Sequence, residues 1–189
     1  IRSLIGKNGL DRCMKYERST KKKFEYTEDT LERYGKIFSK NEVGKYSKKI
    51  ESICDKILES NGITMIYSQY IDGGCVPVAL ALEELGFKRY GERKNSLFRE
   101  RPSQPLNAYT MKPRVEGEEF KQASYAMITG DVLLSPNNKT EFLALTNENN
   151  VDGNTVKVVI ISKAGSEGLD FKFIRNIHIL DPWYNMNRI

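Results

Sequence analysis

The stretch Val156–Asn187, VKVVIISKAGSEGLDFKFIRNIHILDPWYNMN, carries the strongest structural pattern in the chain. It opens with the β-branched run Val156–Ile161 and passes directly into a polar loop with two glycines, residues 162–170. A second apolar run, Ile177–Leu180, ends at Asp181-Pro182-Trp183. Glycines let backbone N–H groups approach an anion, and hydroxyl, amine and carboxylate side chains add donors and acceptors. The pattern predicts a buried strand that leads into a phosphate- or nucleotide-facing loop.

A strand–loop–helix unit is predicted upstream of this stretch. Residues 63–70, ITMIYSQY, are an apolar run that turns polar at its end, which indicates a buried strand. Asp72-Gly73-Gly74 should then turn the chain into a helix that has Pro77 near its first turn and Gly86 as its C-terminal stop. Another helix should precede the strand, because apolar residues recur at helical spacing from Tyr46 to Leu58. Units of this kind build parallel sheets.

Two more strands and one more helix are predicted between these regions. The strands cover Phe87–Tyr90 and Ala123–Thr129, and Ser135-Pro136 supplies a cap and a first-position proline for the helix. The residues of this helix expected to face inward are Phe142, Leu143 and Leu145. Strands that alternate with helices predict a three-layer α/β/α fold around a mostly parallel sheet. Functional loops should lie at the carboxyl ends of its strands.

Two segments lack a clear apolar period. Residues 1–40 are interpreted as a basic leader or linker with one short helix near Glu28–Phe38, and the domain itself as residues 41–189. Residues 91–122 contain three prolines and mixed charges, which favours an insertion or a surface excursion. Since Ile1 is not an initiator, we expect the chain to be a piece of a longer protein.

Composition and charge restrict the possible classes of protein. The 189 residues are enough for one domain with a core, and no apolar run approaches the roughly 18–20 residues that span a bilayer, so no membrane partner is expected. Three scattered cysteines favour reduced thiols in an intracellular compartment over disulfides or zinc. Residues 1–50 hold 14 Lys and Arg against 7 acids, whereas the remainder holds 16 against 18. A polyanion partner and a merely solvated charged face explain this asymmetry equally well.

The order and spacing of the polar loops resemble those of superfamily 2 helicases and translocases. The positions that match motif V of that group are Ser162, Lys163, Ala164, Gly165, Gly168, Leu169 and Asp170. Tyr67-Ser68-Gln69 resembles motif IV of the Swi/Snf-like branch, and the residues 181–185, DPWYN, resemble the segment that leads into motif VI. The likeness is to the second RecA-like domain, above all to that of helicases and NTPases of large cytoplasmic DNA viruses, including poxvirus and mimivirus types.

The resemblance implies a division of roles among the loop residues. The residues implied to lie at the nucleic acid are Ser68, Gln69, Ser162, Lys163, Ala164 and Gly165. Gly168 and Asp170 are implied to approach an ATP-side cleft, so that the loop would couple the two sites. The implied partners are RNA or DNA and the first RecA-like domain of the same protein, with ATP and Mg²⁺ as cofactors of the full-length protein. If the protein is viral, the virion or the host cytoplasm is the expected location.

The catalytic parts of such an enzyme are missing from the sequence. It contains no GxxxxGK[ST] phosphate-binding loop and no Asp-Glu-x-x magnesium motif, and it stops before motif VI would supply an arginine. Arg188 is not at the expected position and receives no role. No metal site and no complete catalytic set stands out. We therefore expect no ATP turnover from this chain alone.

Two different classes of protein are also compatible with these residues. Residues 165–168, GSEG, could be the GxxG loop of a non-catalytic KH-type nucleic-acid-binding module, although such a loop should join two helices. A small-molecule nucleotide-binding domain is the other possibility. For single residues, too, a structural role is possible. Ser68 and Gln69 could simply cap a strand end, and Trp183 could pack beneath the sheet instead of stacking on a base. The Glu167 carboxylate would repel phosphate unless it points away. His178 is expected to be structural, on the opposite strand face from its isoleucine neighbours.

Overall fold

The computed structural model describes residues 6–166 and 168–182, and its centre is a five-stranded parallel sheet. An antiparallel hairpin lies N-terminal to it. The hairpin strands are β1 (Met14–Glu17) and β2 (Lys22–Tyr26), and the sheet strands are β3 (Ile63–Tyr67), β4 (Lys88–Arg89), β5 (Ser124–Ile128), β6 (Val158–Ile161) and β7 (Ile174–Ile179). The order across the sheet is β4-β5-β6-β3-β7, and every neighbouring pair is parallel.

Seven α-helices accompany these strands in the described ranges. They are α1 (Gly6–Cys13), α2 (Glu28–Tyr34), α3 (Val43–Tyr46), α4 (Lys48–Glu59), α5 (Val76–Glu84), α6 (Asn138–Leu145) and the single turn α7 (Lys163–Ser166). A π-helical turn, Ile71–Cys75, leads into α5, and short 3₁₀ turns lie at Arg93–Asn95 and Glu148–Asn150. Helix α4 shows why a helix begins at a given residue. The Ser47 side chain accepts a hydrogen bond from the Ile50 backbone N and so caps the first turn.

Apolar clusters cover both faces of the sheet. On one face Ile66, Met127 and Ile160 pack with α4 and α5. On the other face Met65 and Val159 pack with α6 and with the segment that follows α7. Strands buried on both sides require continuous apolar runs without polar alternation, which explains the sequence of β3 and β6. The predicted three-layer α/β/α fold with a parallel sheet is confirmed and is consistent with a RecA-like domain.

The segment 91–122 lacks long strands and α-helices, and it is buried in one part and exposed in another, residues 112–119 being exposed. Leu97, Phe98 and Leu106 are buried in the first apolar cluster. The buried Glu83 of α5 holds the segment, since its carboxylate accepts hydrogen bonds from the backbone N of Leu97 at 2.8 Å and of Phe98 at 2.9 Å. The segment is therefore anchored on α5 at residues 97 and 98, whereas residues 112–119 lie at the surface. Whether the segment is an insertion relative to other proteins stays a prediction.

The first forty residues also pack onto the domain. The predicted helix near Glu28–Phe38 is present as α2, but α1 and the hairpin were not foreseen. Phe24 of β2 is 1% exposed and lies in the same cluster as α5, and its backbone N donates to the Leu97 carbonyl at 2.8 Å. The described residues 6–40 therefore do not form a free linker.

Helix α6 differs from its prediction. Ser135 does not cap it: the helix begins at Asn138, and the Ser135 hydroxyl is buried at 2.8 Å from that of Thr129. Leu143 is 58% exposed, so it does not face inward. The buried position is taken by Glu141, which forms a salt bridge of 3.0 Å with Arg89.

The last described strand, β7, lies at one edge of the sheet. Ile177 and Ile179 are exposed, whereas His178 points to the opposite, half-buried face, as predicted. Burial lowers the pKa of His178 below its ordinary value, so the ring is neutral at pH 7. Cys13, Cys54 and Cys75 are buried free thiols. No helix within the described ranges is long and apolar enough to cross a membrane.

Candidate functional site at the carboxyl edge of the sheet

Four loops meet at one edge of the sheet because its strands are parallel. They follow β3, β5, β6 and β7, the order across this edge being β5, β6, β3 and β7. The loops after β3 and β6 carry most of the predicted site residues. The structure thus brings the two predicted motifs to neighbouring positions.

Ser68 and Asp181 join the loop after β3 to the segment after β7. The Ser68 hydroxyl donates to Asp181 Oδ1 at 2.6 Å, and the Gln69 backbone N donates to Asp181 Oδ2 at 2.8 Å. Ser68 Oγ also accepts from the Tyr70 backbone N at 3.1 Å. Both carboxylate oxygens of Asp181 are therefore occupied by the end of β3.

This arrangement gives Ser68 a role inside the protein. Its side chain is 0% exposed and its hydroxyl is hydrogen-bonded within the protein, and its predicted contact with nucleic acid stays a prediction. Gly74 closes over it, since a Cβ at that position would lie 2.0 Å from Ser68 Oγ. The half-exposed Gln69 side chain stays in a position to reach a nucleic acid, and its contact stays a prediction.

Ser162 is buried in the same way, and its predicted contact with nucleic acid also stays a prediction. It is 3% exposed, and its Oγ accepts hydrogen bonds from the backbone N of Gly130 at 3.2 Å and of Gly165 at 3.4 Å. The hydroxyl therefore ties the loop after β5 to the turn α7. It shapes the loop instead of presenting an oxygen to a partner.

Close packing explains the small residues of this loop. A Cβ at Gly165 would lie 2.1 Å from the Ile128 carbonyl oxygen, and a Cβ at Gly130 would lie 2.6 Å from Ala164 Cβ. Lys163 and Ala164 remain exposed and Gly165 half-exposed. The outer surface of α7 is thus open to a partner, while its inner side is fixed against β5.

Gly168 and Asp170 lie beyond α7. Gly168 adopts a φ of +76° with open space around it, and Asp170 is exposed. Leu169, which lies between them, packs on the second apolar cluster. Just after Asp170, the Phe171 ring meets the Phe142 ring edge-on, with 5.6 Å between the ring centroids. A cavity of about 270 Å³ separates Ala164, Gly165 and Leu169 from α6. Glu167 and residues 183–189, including Trp183, Tyr184, Asn185 and Arg188, lie outside the described residues.

Sequence reasoning missed an ion-pair bridge at the same edge. Lys21, at the tip of the hairpin, forms a salt bridge with Asp131 after β5, and its Nζ lies 3.7 Å from Asp72 Oδ1. Burial alone would lower the pKa of Lys21, but the two carboxylates outweigh it and raise that pKa. No local signal could have revealed a pairing between residues 21 and 131.

The described part of this edge leaves space beside the loop after β6. The surroundings of Gly168 are open and Asp170 is exposed, whereas the Ser68 and Ser162 hydroxyls are used internally. Within the described ranges, no group of three or more His, Cys, Asp and Glu side chains could hold a metal ion.

The parallel sheet, covered on both faces and with its loops gathered at one edge, places the chain among α/β domains and is consistent with a RecA-like domain. No protein-family model matches the chain. It is 30% identical over 155 residues to "Termination factor NPH-I homolog" of African swine fever virus, an alignment that covers 75% of this chain and 21% of the relative. A "Putative ATP-dependent RNA helicase" of Acanthamoeba polyphaga mimivirus is 25% identical over 174 residues, 82% of this chain and 15% of that protein.

A shorter match of higher identity links the chain to a poxvirus protein. It is 60% identical over 38 residues to "Nucleoside triphosphatase I" of Choristoneura fumiferana entomopoxvirus, 20% of this chain and 6% of that protein. The chain is thus a homologue of helicase- and NTPase-like proteins of large DNA viruses, which confirms the predicted resemblance. It spans about a fifth or less of the length of these relatives.

Proposed function

We propose that the chain is the second RecA-like domain of an ATP-dependent superfamily 2 helicase or translocase of viral type. The observation that carries this proposal is the carboxyl edge itself. There α7 packs against the loop after β5, and Asp181 holds the end of β3 in place. The names of the relatives support an NTP-dependent activity on nucleic acid.

The residues would divide the work as follows. Exposed Lys163 and Ala164, with the half-exposed Gln69, face the phosphate backbone of RNA or DNA, and Lys163 supplies a positive charge. Ser68 and Ser162 act indirectly, because their buried hydroxyls fix the shape of the loops. Gly168 and Asp170 lie on the ATP side of the same loop.

The chemistry of hydrolysis would depend on a second domain. ATP with Mg²⁺ supplies the free energy for moving along the nucleic acid, and both would be held largely by the first RecA-like domain. In this chain Ala164, Gly165 and Gly168 belong to one loop, so a shift of this loop would couple the nucleic-acid site to the ATP site. The chain alone would not hydrolyse ATP. A role in transcription or transcript release fits the name that the African swine fever virus relative carries.

A non-catalytic KH-type module fits the site less well. A KH loop joins two helices. Here β6, the middle strand of a five-stranded parallel sheet, leads into the turn that contains Gly165.

Nucleic-acid-stimulated ATPase activity of the intact protein tests the proposal. Gly168→Ala and Asp170→Ala should each lower the stimulated turnover at least about tenfold, the size of effect expected when a residue that couples two sites is lost. Gly117→Ala is the matched control, since Gly117 also has a positive φ, +86°, and open surroundings, but lies in the 91–122 segment. Absence of stimulation in the wild type, or full stimulation in both variants, would count against a helicase.

A further inference from the structure

The tip of the β1–β2 hairpin is the most basic part of the described surface near the candidate site. Residues 14–23 contain five Lys and Arg residues and a single acid, Glu17. We call residues 18–23, RSTKKK, the basic tip. The sequence alone could not say whether these charges meet a partner or are merely solvated.

The basic tip lies at the carboxyl edge of the sheet. Its Lys21 bridges Asp72 and Asp131, which belong to the loops after β3 and β5. Asp131 directly follows Gly130, whose backbone N donates to Ser162 Oγ and where an added Cβ would lie 2.6 Å from Ala164 Cβ. A continuous surface therefore runs from the exposed side of α7 to the hairpin.

The hairpin is held rigidly at this place. The rings of Tyr16 and Phe24 stack with 4.6 Å between their centroids. The Phe24 backbone N donates a hydrogen bond to the Leu97 carbonyl at 2.8 Å, and the Phe24 carbonyl accepts one from the Arg99 N at 3.2 Å. Lys21 and Lys23 adopt φ values of 49° and 59°, a left-handed conformation that is uncommon for residues other than glycine. The Phe24 contacts hold the base of the hairpin against residues 97–99, which reduces the conformational entropy that binding would cost.

Three cations of the tip are available to an external anion. Lys22 is half-buried and forms no salt bridge among the described residues. Its pKa is lowered, first by burial and then by the charge of Arg89, which Glu141 partly offsets. Arg18 lies 3.8 Å from Asp11 and Lys23 lies 2.8 Å from Glu17, with side chains that are 81% and 57% exposed. Such exposed pairs contribute only about 0–1 kcal/mol, so a phosphate can replace the carboxylate.

We propose that the basic tip binds the phosphate backbone of the nucleic acid and extends the contact surface of α7. This inference rests on the proposed function. Contacts from Lys and Arg to phosphate carry no sequence information, so the tip would strengthen binding to every sequence equally. Lys21 itself would position the tip instead of touching the nucleic acid.

The salt dependence of binding by the intact protein tests this inference. The test variant is Arg18→Gln with Lys22→Gln and Lys23→Gln. The control removes the same charges from exposed positions away from the carboxyl edge, as Arg101→Gln with Lys56→Gln and Lys112→Gln. Binding of fluorescein-labelled oligouridylate and oligothymidylate is followed by fluorescence anisotropy over a series of KCl concentrations. The two probes show whether RNA or DNA is preferred.

Each phosphate contact contributes about 0.7 to the slope of log K against log salt for a single strand. The test variant should therefore have a slope that is smaller in magnitude than that of the wild type by about 2. Its thermal unfolding midpoint should be unchanged, and the control should keep the wild-type slope. Equal slopes in the two triple variants would overturn the inference.

A reference variant separates this inference from the proposed function. Lys163→Gln should reduce the magnitude of the slope by about 0.7. If it does so but the test variant behaves like the control, only the proposed role of the basic tip is refuted. If the wild-type protein binds neither probe, the proposed function and this inference both fail.

Discussion

The Ser68 hydroxyl donates a hydrogen bond of 2.6 Å to the Asp181 carboxylate, and this contact joins residues that are 113 positions apart. The Gln69 backbone N satisfies the other oxygen of the same carboxylate. Both oxygens of the Asp181 carboxylate accept hydrogen bonds from one loop, and the negative charge strengthens each of these hydrogen bonds. The end of β3 and the segment after β7 are therefore one rigid unit.

Ser68→Ala and Asp181→Ala should each destabilise the fold, by about 1–3 kcal/mol, because a charged or buried group loses its partner. The double variant should cost less than the sum, with a coupling of at least about 0.5 kcal/mol. Urea unfolding of the four proteins measures this cycle. Strict additivity would show that the contact carries no energy, and Ser52→Ala at an exposed position of α4 is the control.

Gly165→Ala should destabilise the protein far more than Gly117→Ala. A methyl group at Gly165 meets backbone of β5, which cannot move aside, so a cost of about 1–3 kcal/mol or more is expected. Gly117 has open surroundings, so only its positive φ opposes the substitution, by about 1 kcal/mol. Comparison of the urea midpoints decides the point. Equal midpoints would mean that α7 is not fixed against β5.

Glu141→Gln should be strongly destabilising. Arg89 and Glu141 have side chains that are 1% and 2% exposed, and removal of the carboxylate leaves a buried guanidinium without its counter-charge. A loss of about 3–5 kcal/mol is typical of such a change. Replacement of both residues by Met should recover part of that loss if the charge imbalance is the cause, because the Met127 backbone N and the Leu134 carbonyl also lose their partners. Thermal and urea unfolding measure both variants, and a double variant as unstable as Glu141→Gln would show that charge imbalance is not the cause.

His178 should make stability depend on pH in a predictable direction. Burial lowers its folded-state pKa below the ordinary value of 6.5, so the unfolded chain binds the proton more readily. The contribution of His178 to stability is therefore complete above pH 6.5 and is lost as the pH falls through the folded pKa. His178→Gln should flatten the stability curve in that window. An NMR titration that places the pKa of His178 at or above 6.5 would show the sign to be wrong.

The main elements of the sheet could be predicted because their signals are local. An apolar run predicts β3 and a β-branched run predicts β6, and glycine or proline at fixed offsets marks the ends of α5. The homology to viral helicase-like proteins was likewise visible in the spacing of a few loop residues. Patterns of this kind depend only on neighbours along the chain.

Tertiary structure decided which loop residues are available for binding. Ser68 and Ser162 match a nucleic-acid motif in sequence, yet folding buries both hydroxyls and uses them to hold loops together. The bridge from Lys21 to Asp131 and the pair of Arg89 with Glu141 were equally invisible. Burial and pairing depend on which distant segments the sheet order brings together, whereas a local pattern specifies only the residue and the element on which it lies.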